Sequence, residues 1–98
     1  ISSVDLENAL VGHEAIREAA VIAVPHPKWQ ERPLAIVVPK NGSAIDAAEL
    51  RAFLELRFAR WQVPDDFVCV KELPYTATGK LLKSKLRQDF SSWQWDSP

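Results

Sequence analysis

Apolar residues along the chain form continuous runs separated by polar stretches. Residues 19–24 and 34–38 are almost entirely aliphatic, and each run stops at a proline. Short continuous runs of this kind predict strands that are covered on both faces. Residues 67–70 form a shorter run, which predicts a third strand. The pattern therefore predicts a small β-sheet at the centre of the fold.

Helical spacing surrounds these runs. Asp46 and Glu49 have the spacing of a capping box, and one apolar stripe follows them. The stripe, which we expect to cover the sheet, consists of Leu50, Phe53, Leu54 and Phe58. A first helix is predicted to start at Ser2 or Ser3, and a basic helix is predicted at 82–90. We expect an α+β fold: a small three-stranded β-sheet core flanked by three α-helices.

Composition indicates one small globular domain. The 98 residues are 47% hydrophobic and 26% charged, with a net charge of −1. This charge gives no steering toward nucleic acid, and no apolar run is long enough to be a transmembrane segment. The chain begins at Ile1 rather than methionine, so we expect a piece of a longer protein.

The single cysteine, Cys69, lies between two valines of the third predicted strand. We expect a buried structural thiol there rather than a nucleophile. One cysteine cannot form an intrachain disulfide, and together with the lack of a secretory signal this favours a cytoplasmic location. No His, Cys, Asp and Glu cluster has the spacing of metal ligands, so no metal site is expected.

The polar loop 74–80 carries the most informative motif. It reads Pro-Tyr-Thr-Ala-Thr-Gly-Lys, and an apolar pair and a basic helix closing on Leu86 and Arg87 follow it. This order resembles the C-terminal signature of the adenylate-forming superfamily. That superfamily includes acyl-CoA synthetases, beetle luciferases and the adenylation domains of peptide synthetases.

Other blocks resemble the same superfamily in the same order and at similar spacing. They are 1–7, the strand and loop pattern 20–38, and the aromatic-x-Val-Pro turn 61–64. Segment 26–33 is most similar to medium- and long-chain fatty acyl-CoA synthetases. The resemblance implies that 1–90 is the C-terminal lid domain of an AMP-binding acyl-CoA ligase, with 91–98 as a C-terminal tail. Glu31 matches a position in the linking loop, where its usual neighbour is glycine and Gln30 stands here.

The resemblance implies that Lys80 is the catalytic lysine. It would bring an ammonium group between a carboxylate and the α-phosphate of ATP as the acyl-adenylate forms. Gly79 would let the backbone approach a ligand closely, and hydroxyl groups of Thr76 and Thr78 would fix the loop. Gly79 and Thr78 are therefore candidate substrate and ATP contacts. Lys83, Lys85 and Arg87 are candidate contacts for coenzyme A, although a solvated helix face is the better explanation of their spacing.

The resemblance further implies ATP, Mg²⁺ and coenzyme A in the full-length enzyme. The acyl pocket and most ATP contacts would lie in an N-terminal AMP-binding domain upstream, so we expect this fragment to be inactive alone and to bind none of them. Two alternatives remain: the lid of a carrier-protein ligase, and a non-enzymatic basic binding module. The net charge disfavours the second. The aromatic residues Trp93 and Trp95 could pack on a partner or form a loose tail.

Overall fold

The computed structural model describes residues 3–93 and residue 95 of the chain. Within them the expected α+β architecture is confirmed, because a three-stranded sheet lies among three α-helices. A short 3₁₀-helix, which the sequence pattern did not predict, precedes the last strand. The elements are α1 Ser3–Val11, β1 Ile16–His26, β2 Gln30–Pro39, α2 Ala47–Glu55, the 3₁₀-helix Arg60–Gln62, β3 Asp66–Cys69 and α3 Lys83–Asp89.

The sheet is mixed, with β2 between the two other strands. β1 and β2 pair antiparallel in a long hairpin whose last partners are His26 and Gln30. β3 pairs parallel to β2, with Leu34 opposite Asp66, after a connection that contains α2. A central strand contacts neighbours on both edges and layers on both faces, which explains why residues 34–38 are buried without a break.

Each face of the sheet has its own hydrophobic cluster. The first face packs under α1 and α2, where Leu10 and Leu54 are fully buried. The second face packs against α3 and the segment that precedes it, through Leu86 and Leu73. Along β1 and β2, successive side chains point to opposite faces of the sheet and so pack alternately into the two clusters. The sheet is thus the middle of three layers.

Helix α2 begins as the sequence predicted. The carboxylate of Asp46 accepts a hydrogen bond from the backbone nitrogen of Ala48 at 2.9 Å, which caps the helix. Glu49 does not complete a capping box; its carboxylate lies 3.4 Å from Nε2 of His13. Of the predicted stripe, Leu50 and Leu54 are buried, whereas the two phenylalanines are only partly buried at the edge of the core. The N-cap candidate Ser2 lies outside the described residues.

Both hairpin strands are longer than the apolar runs predicted. The ladder continues through Pro25, opposite Glu31, and through Pro33, opposite Ala23. Proline has no N–H to donate: Pro25 lies on the edge strand β1, and Pro33 lies on β2 just before the pairing of β2 with β3 begins at Leu34. The three prolines between the runs therefore shape a hairpin rather than the stiff connection that we expected.

The prediction of a buried Cys69 is wrong. The thiol is exposed, because Cys69 is the last residue of an edge strand. Partial desolvation raises its pKa, which lowers the fraction of reactive thiolate. An exposed and unactivated thiol remains the better description than a nucleophile.

Aromatic side chains described after α3 pack back onto the domain. Trp93 and Trp95 pack against the second hydrophobic cluster, and the indole nitrogen of Trp95 donates a hydrogen bond to the carbonyl of Pro25 at 2.8 Å. Both tryptophans therefore contact this chain itself, so the picture of a loose tail does not hold for them. In the described part of the chain, no helix is long and apolar enough to cross a bilayer.

Candidate functional site: the Lys80 loop

The loop that carries the Gly-Lys motif is a small hairpin of its own. Tyr75 and Leu81 form an isolated antiparallel bridge, and the backbone nitrogen of Leu82 donates to the carbonyl of Pro74 at 2.9 Å. One residue further in, the nitrogen of Thr76 donates to the carbonyl of Lys80 at 2.8 Å. Backbone hydrogen bonds therefore define the loop from its stem to its tip.

Two hydroxyl groups organise the tip. Oγ1 of Thr76 accepts a hydrogen bond from the nitrogen of Lys80 at 3.0 Å and lies 2.9 Å from Oγ1 of Thr78. The nitrogen of Gly79 donates to the carbonyl of Thr76 at 2.9 Å, which closes a tight turn. The structure thus confirms that Thr76 and Thr78 fix the loop through local hydroxyl bonds.

Gly79 has a left-handed backbone, with φ of +85°. Residues with a Cβ reach this region only at a cost, so the turn favours glycine for its backbone alone. A Cβ at Gly79 would have no heavy atom within 4 Å outside its chain neighbours. The space beside Gly79 is open to a ligand, as the sequence suggested.

Lys80 projects from this turn into solvent. The residue is exposed, and among residues 3–93 and 95 its ammonium group has no hydrogen-bond or ion-pair partner. A lysine cation that is not neutralised by its own domain is available to an anion brought to the loop. The loop therefore offers a free positive charge on a backbone that is held in one shape.

The stem of the loop is anchored on the second face of the sheet. Leu73 is buried there, and Leu81 packs against the same cluster. Oη of Tyr75 also donates a hydrogen bond to the carboxylate of Glu18 on β1. The loop therefore has a fixed base and an exposed tip.

The family follows from comparison with known proteins. Residues 5–80, which run from the first turn of α1 to the lysine at the loop tip, match the AMP-binding enzyme C-terminal domain. The chain belongs to this family. For this AMP-binding C-terminal domain, the resemblance noted in the sequence is confirmed.

Individual relatives agree with the family. The domain is 52% identical over 93 residues to a long-chain-fatty-acid–CoA ligase of Thermus thermophilus, which covers 95% of this chain. It is 56% identical over 90 residues to a 3-methylmercaptopropionyl-CoA ligase of Ruegeria pomeroyi, covering 92% of this chain. The chain spans 17% of the length of either relative.

A solved structure also resembles the fold closely. ATP-bound MatB of Rhodopseudomonas palustris superposes with a TM-score of 0.88 at 28% identity. The match covers 93% of this chain and 18% of the MatB chain. The AMP-binding C-terminal domain described above is therefore the shared part of much longer proteins.

The three basic residues of α3 are not equivalent. The ammonium of Lys83 lies 2.6 Å from Oε2 of Glu7 and 3.0 Å from Oγ of Ser3, and its side chain is only 22% exposed. Lys85 pairs with Asp89 one turn later on the exposed surface. Arg87 is exposed and borders a cleft of about 410 Å³. The assignment of coenzyme A contacts to them stays a prediction, and only Arg87 is free to make one without giving up a partner in the described structure.

The hairpin between β1 and β2 explains a departure from the family pattern. Gln30, which stands where the resemblance expects glycine, has a φ of +67°. The turn therefore requires a left-handed residue, and this chain places glutamine there. Glu31 beside it is exposed, and its role stays open.

Arg32 fixes the end of the hairpin next to this turn. Its guanidinium makes two bonds of 2.8 Å to the carboxylate of Asp65 and one of 2.9 Å to the carbonyl of Trp61. The hydrogen bond to Asp65 raises the pKa of Arg32. The aromatic-x-Val-Pro turn thus serves to hold the hairpin, a link across about 30 residues that sequence spacing alone does not reveal.

The tip of the Lys80 loop presents an ammonium group rather than a cluster of carboxylates. No group of three or more His, Cys, Asp or Glu within residues 3–93 and 95 could hold a metal ion. The free ammonium of Lys80 and the open space at Gly79 fit a phosphate or carboxylate group instead.

Proposed function

We propose that this domain is the mobile C-terminal lid of an ATP-dependent acyl-CoA ligase. The whole enzyme would activate a carboxylic acid as an acyl-adenylate and then transfer the acyl group to coenzyme A. The supporting observation is the Lys80 loop, a rigid hairpin that presents an unpaired ammonium in a domain of the AMP-binding family. The names of the two relatives, both CoA ligases, support the second step.

In the first step the carboxylate oxygen attacks the α-phosphorus of ATP, and the bond to pyrophosphate breaks. Both reactants are anionic, so the approach is opposed by repulsion and negative charge accumulates on the phosphoryl oxygens. The ammonium of Lys80 would offset that charge as it develops. The threonine hydroxyl groups hold the lysine backbone in advance, so little reorganisation would be needed.

In the second step the thiolate of coenzyme A attacks the acyl carbonyl, and AMP leaves. The resemblance implies that the lid rotates between the two steps, which withdraws Lys80 and brings another face of the lid to the site. Withdrawal of Lys80 would break no hydrogen bond or ion pair of its ammonium within the described residues, which is compatible with such a motion.

The substrate class is proposed as fatty or other hydrophobic carboxylic acids. The identity to a long-chain-fatty-acid–CoA ligase supports it, as does the similarity of segment 26–33 to medium- and long-chain enzymes. Use of Mg²⁺ with ATP belongs to this proposal and is assigned to the rest of the enzyme. We also propose a cytoplasmic location, which the free thiol of Cys69 supports because reducing compartments preserve free thiols.

Lys80→Ala in the full-length enzyme tests the proposal. We expect adenylate formation to fall by about 10²–10³, by analogy with the loss of one preorganised donor. Thioester formation from synthetic acyl-adenylate should stay within about twofold of wild type, because Lys80 acts only in the first step. Lys71→Ala is the matched control, since Lys71 is an exposed lysine nine positions upstream.

The two half-reactions separate the outcomes. Equal losses in both would mean that Lys80 supports the lid structure and not the first chemical step. Unchanged adenylation would remove Lys80 from the mechanism. If Lys71→Ala lost as much as Lys80→Ala, the effect would belong to the overall charge of the domain.

A further inference from the structure

A side-chain hydrogen bond connects the stem of the Lys80 loop to the sheet, in addition to the packing of Leu73 and Leu81, and the proposed chemistry does not use it. Oη of Tyr75 donates a hydrogen bond to Oε1 of Glu18 across 57 residues of sequence. The second oxygen of Glu18 lies 3.4 Å from Nε of Arg17. The carboxylate is therefore held from both sides on β1.

Glu18 lies on the correct face of the strand for this contact. Residues 20, 22 and 24 belong to the second hydrophobic cluster, and the strand period of two places Glu18 on the same face. The pairing with β2 is irregular between Ile16 and Glu18, just before this point. The carboxylate thus lies at the margin of the cluster on which Leu73 and Leu81 anchor the loop.

The hydrogen bond between Tyr75 and Glu18 is linked to Lys80 through one intervening residue. Tyr75 directly precedes Thr76, and Thr76 makes two hydrogen bonds to Lys80, one through its nitrogen and one through its hydroxyl. A rotation of Tyr75 about the stem would therefore carry Thr76 and Lys80 with it. The path from β1 to the lysine backbone runs through four residues: Glu18 is hydrogen-bonded to Tyr75, Tyr75 is covalently joined to Thr76, and Thr76 is hydrogen-bonded to Lys80.

The pair is suited to hold at neutral pH. A hydrogen bond between a phenol and a carboxylate is charge-assisted and stronger than one between neutral groups. The bond to Glu18 raises the pKa of Tyr75 to about 12, so the phenol keeps its proton. Tyr75 is 46% exposed, so packing alone does not immobilise it.

We propose that Tyr75 and Glu18 are positioning residues for Lys80. Their hydrogen bond holds the loop hairpin at one angle to the sheet, and that angle sets where the ammonium lies when the lid closes for adenylate formation. This inference rests on the proposed function. It adds Tyr75 and Glu18 to the residues that affect adenylate formation, through the position of Lys80 and without contacting the substrate.

The test uses four variants of the full-length enzyme and one control variant. Tyr75→Phe removes the hydroxyl and keeps the ring, and Glu18→Ala removes the acceptor. The double variant Tyr75→Phe/Glu18→Ala measures whether the two losses share one origin. Glu18→Gln keeps an oxygen that accepts the bond, and should restore adenylation to within about threefold of wild type. Glu14→Ala, an exposed carboxylate on the same part of the chain, is the control.

We expect Tyr75→Phe and Glu18→Ala each to slow adenylate formation about tenfold, since a displaced catalytic group loses rate steeply. The double variant should be no slower than the slower single variant. Thioester formation from synthetic acyl-adenylate should stay within about twofold. Equal losses in both half-reactions, or unchanged adenylation, would overturn the proposal.

Amide hydrogen exchange gives a readout that does not depend on activity. In Tyr75→Phe the amides of Thr76 and Lys80 should exchange about tenfold faster than in wild type, while amides of β2 stay unchanged. If the wild-type enzyme forms no adenylate, the proposed function fails and the exchange result alone judges the pair. Unchanged exchange at both amides would show that the hydrogen bond does not position the loop.

Discussion

The Lys80 loop and helix α3 lie next to each other, and their lysines differ in exposure and in ion pairing. Lys80 is exposed and has no side-chain partner among residues 3–93 and 95. Lys83, three positions later, is mostly buried against Glu7 and Ser3 of α1. The loop fixes its backbone and leaves the charge free, whereas the helix uses its charge to join two elements. A basic stretch in a sequence therefore mixes cations that bind ligands with cations that hold the fold.

The two lysines differ in the interactions that each would lose on binding a ligand. The carboxylate of Glu7 also accepts a hydrogen bond from the nitrogen of Val21 at 2.7 Å, so it connects α1, β1 and α3. Withdrawing Lys83 to bind a ligand would leave a partly buried carboxylate without its counter-ion. Lys80 breaks no contact within the described structure when it meets an anion.

Removing Glu7 should show the largest effect on stability. We expect Glu7→Ala to lower the free energy of unfolding of the 98-residue chain by about 2–4 kcal/mol, since Val21 and Lys83 both lose a partner. Urea denaturation measures the loss. Lys80→Ala and Glu14→Ala should each stay within about 0.5 kcal/mol. A loss below about 1 kcal/mol for Glu7→Ala would mean that the ion pair of Lys83 does not stabilise the fold, and Lys83 would then not differ from Lys80 in this respect.

Gly79→Ala tests whether the backbone holds the loop. A Cβ at Gly79 meets no atom within 4 Å, so the cost should come from the left-handed φ of +85° alone, at about 1–2 kcal/mol. Gly42→Ala is the matched control, because Gly42 has a φ of +74° and equally open space. Both variants should lose similar stability, but only Gly79→Ala should speed exchange of the Lys80 amide. Equal exchange in both would mean that the turn does not hold the lysine.

A pH titration of Tyr75 tests the hydrogen bond at the loop stem, and its expected effect on the free energy of unfolding is smaller. Tyr75 has a pKa of about 12 in the fold, against about 10 in the unfolded chain. Its bond to Glu18 therefore stabilises the fold fully below about pH 10, and the contribution is lost as the pH rises through about 12. Because Tyr75 is half exposed, we expect less than about 1 kcal/mol.

The chain has one tyrosine, so tyrosinate absorbance follows Tyr75 directly. The difference in unfolding free energy between wild type and Tyr75→Phe should shrink between about pH 10 and pH 12. A titration midpoint near the ordinary value of about 10 would show that the bond to Glu18 is absent in solution.

Local signals in the sequence predicted much of this fold. The unbroken apolar run 34–38 indicated a strand buried on both faces, and Asp46 indicated the start of α2. Both features depend on neighbours within one element, so the sequence carries them directly. The motif around Gly79 and Lys80 indicated the loop in the same way, because its hydroxyl bonds span at most four positions.

The features that the sequence did not reveal depend on distant partners. Glu7 and Lys83, Tyr75 and Glu18, and Arg32 and Asp65 are each far apart along the chain. The exposure of Cys69 depends on its place at the edge of the sheet, which its two valine neighbours do not indicate. Spacing within a motif cannot report such tertiary contacts.

The stretch that matches the family model and the stretch whose side chains pack on the sheet end at different residues. The match to the family model ends at residue 80, yet five described side chains beyond it pack into the hydrophobic cluster on the second face of the sheet. Those side chains are Leu81, Leu86, Phe90, Trp93 and Trp95. An expression boundary drawn at residue 80 would remove these side chains and expose part of that apolar face, which promotes aggregation. The stretch that the family model matches is therefore shorter than the stretch whose side chains pack on the sheet.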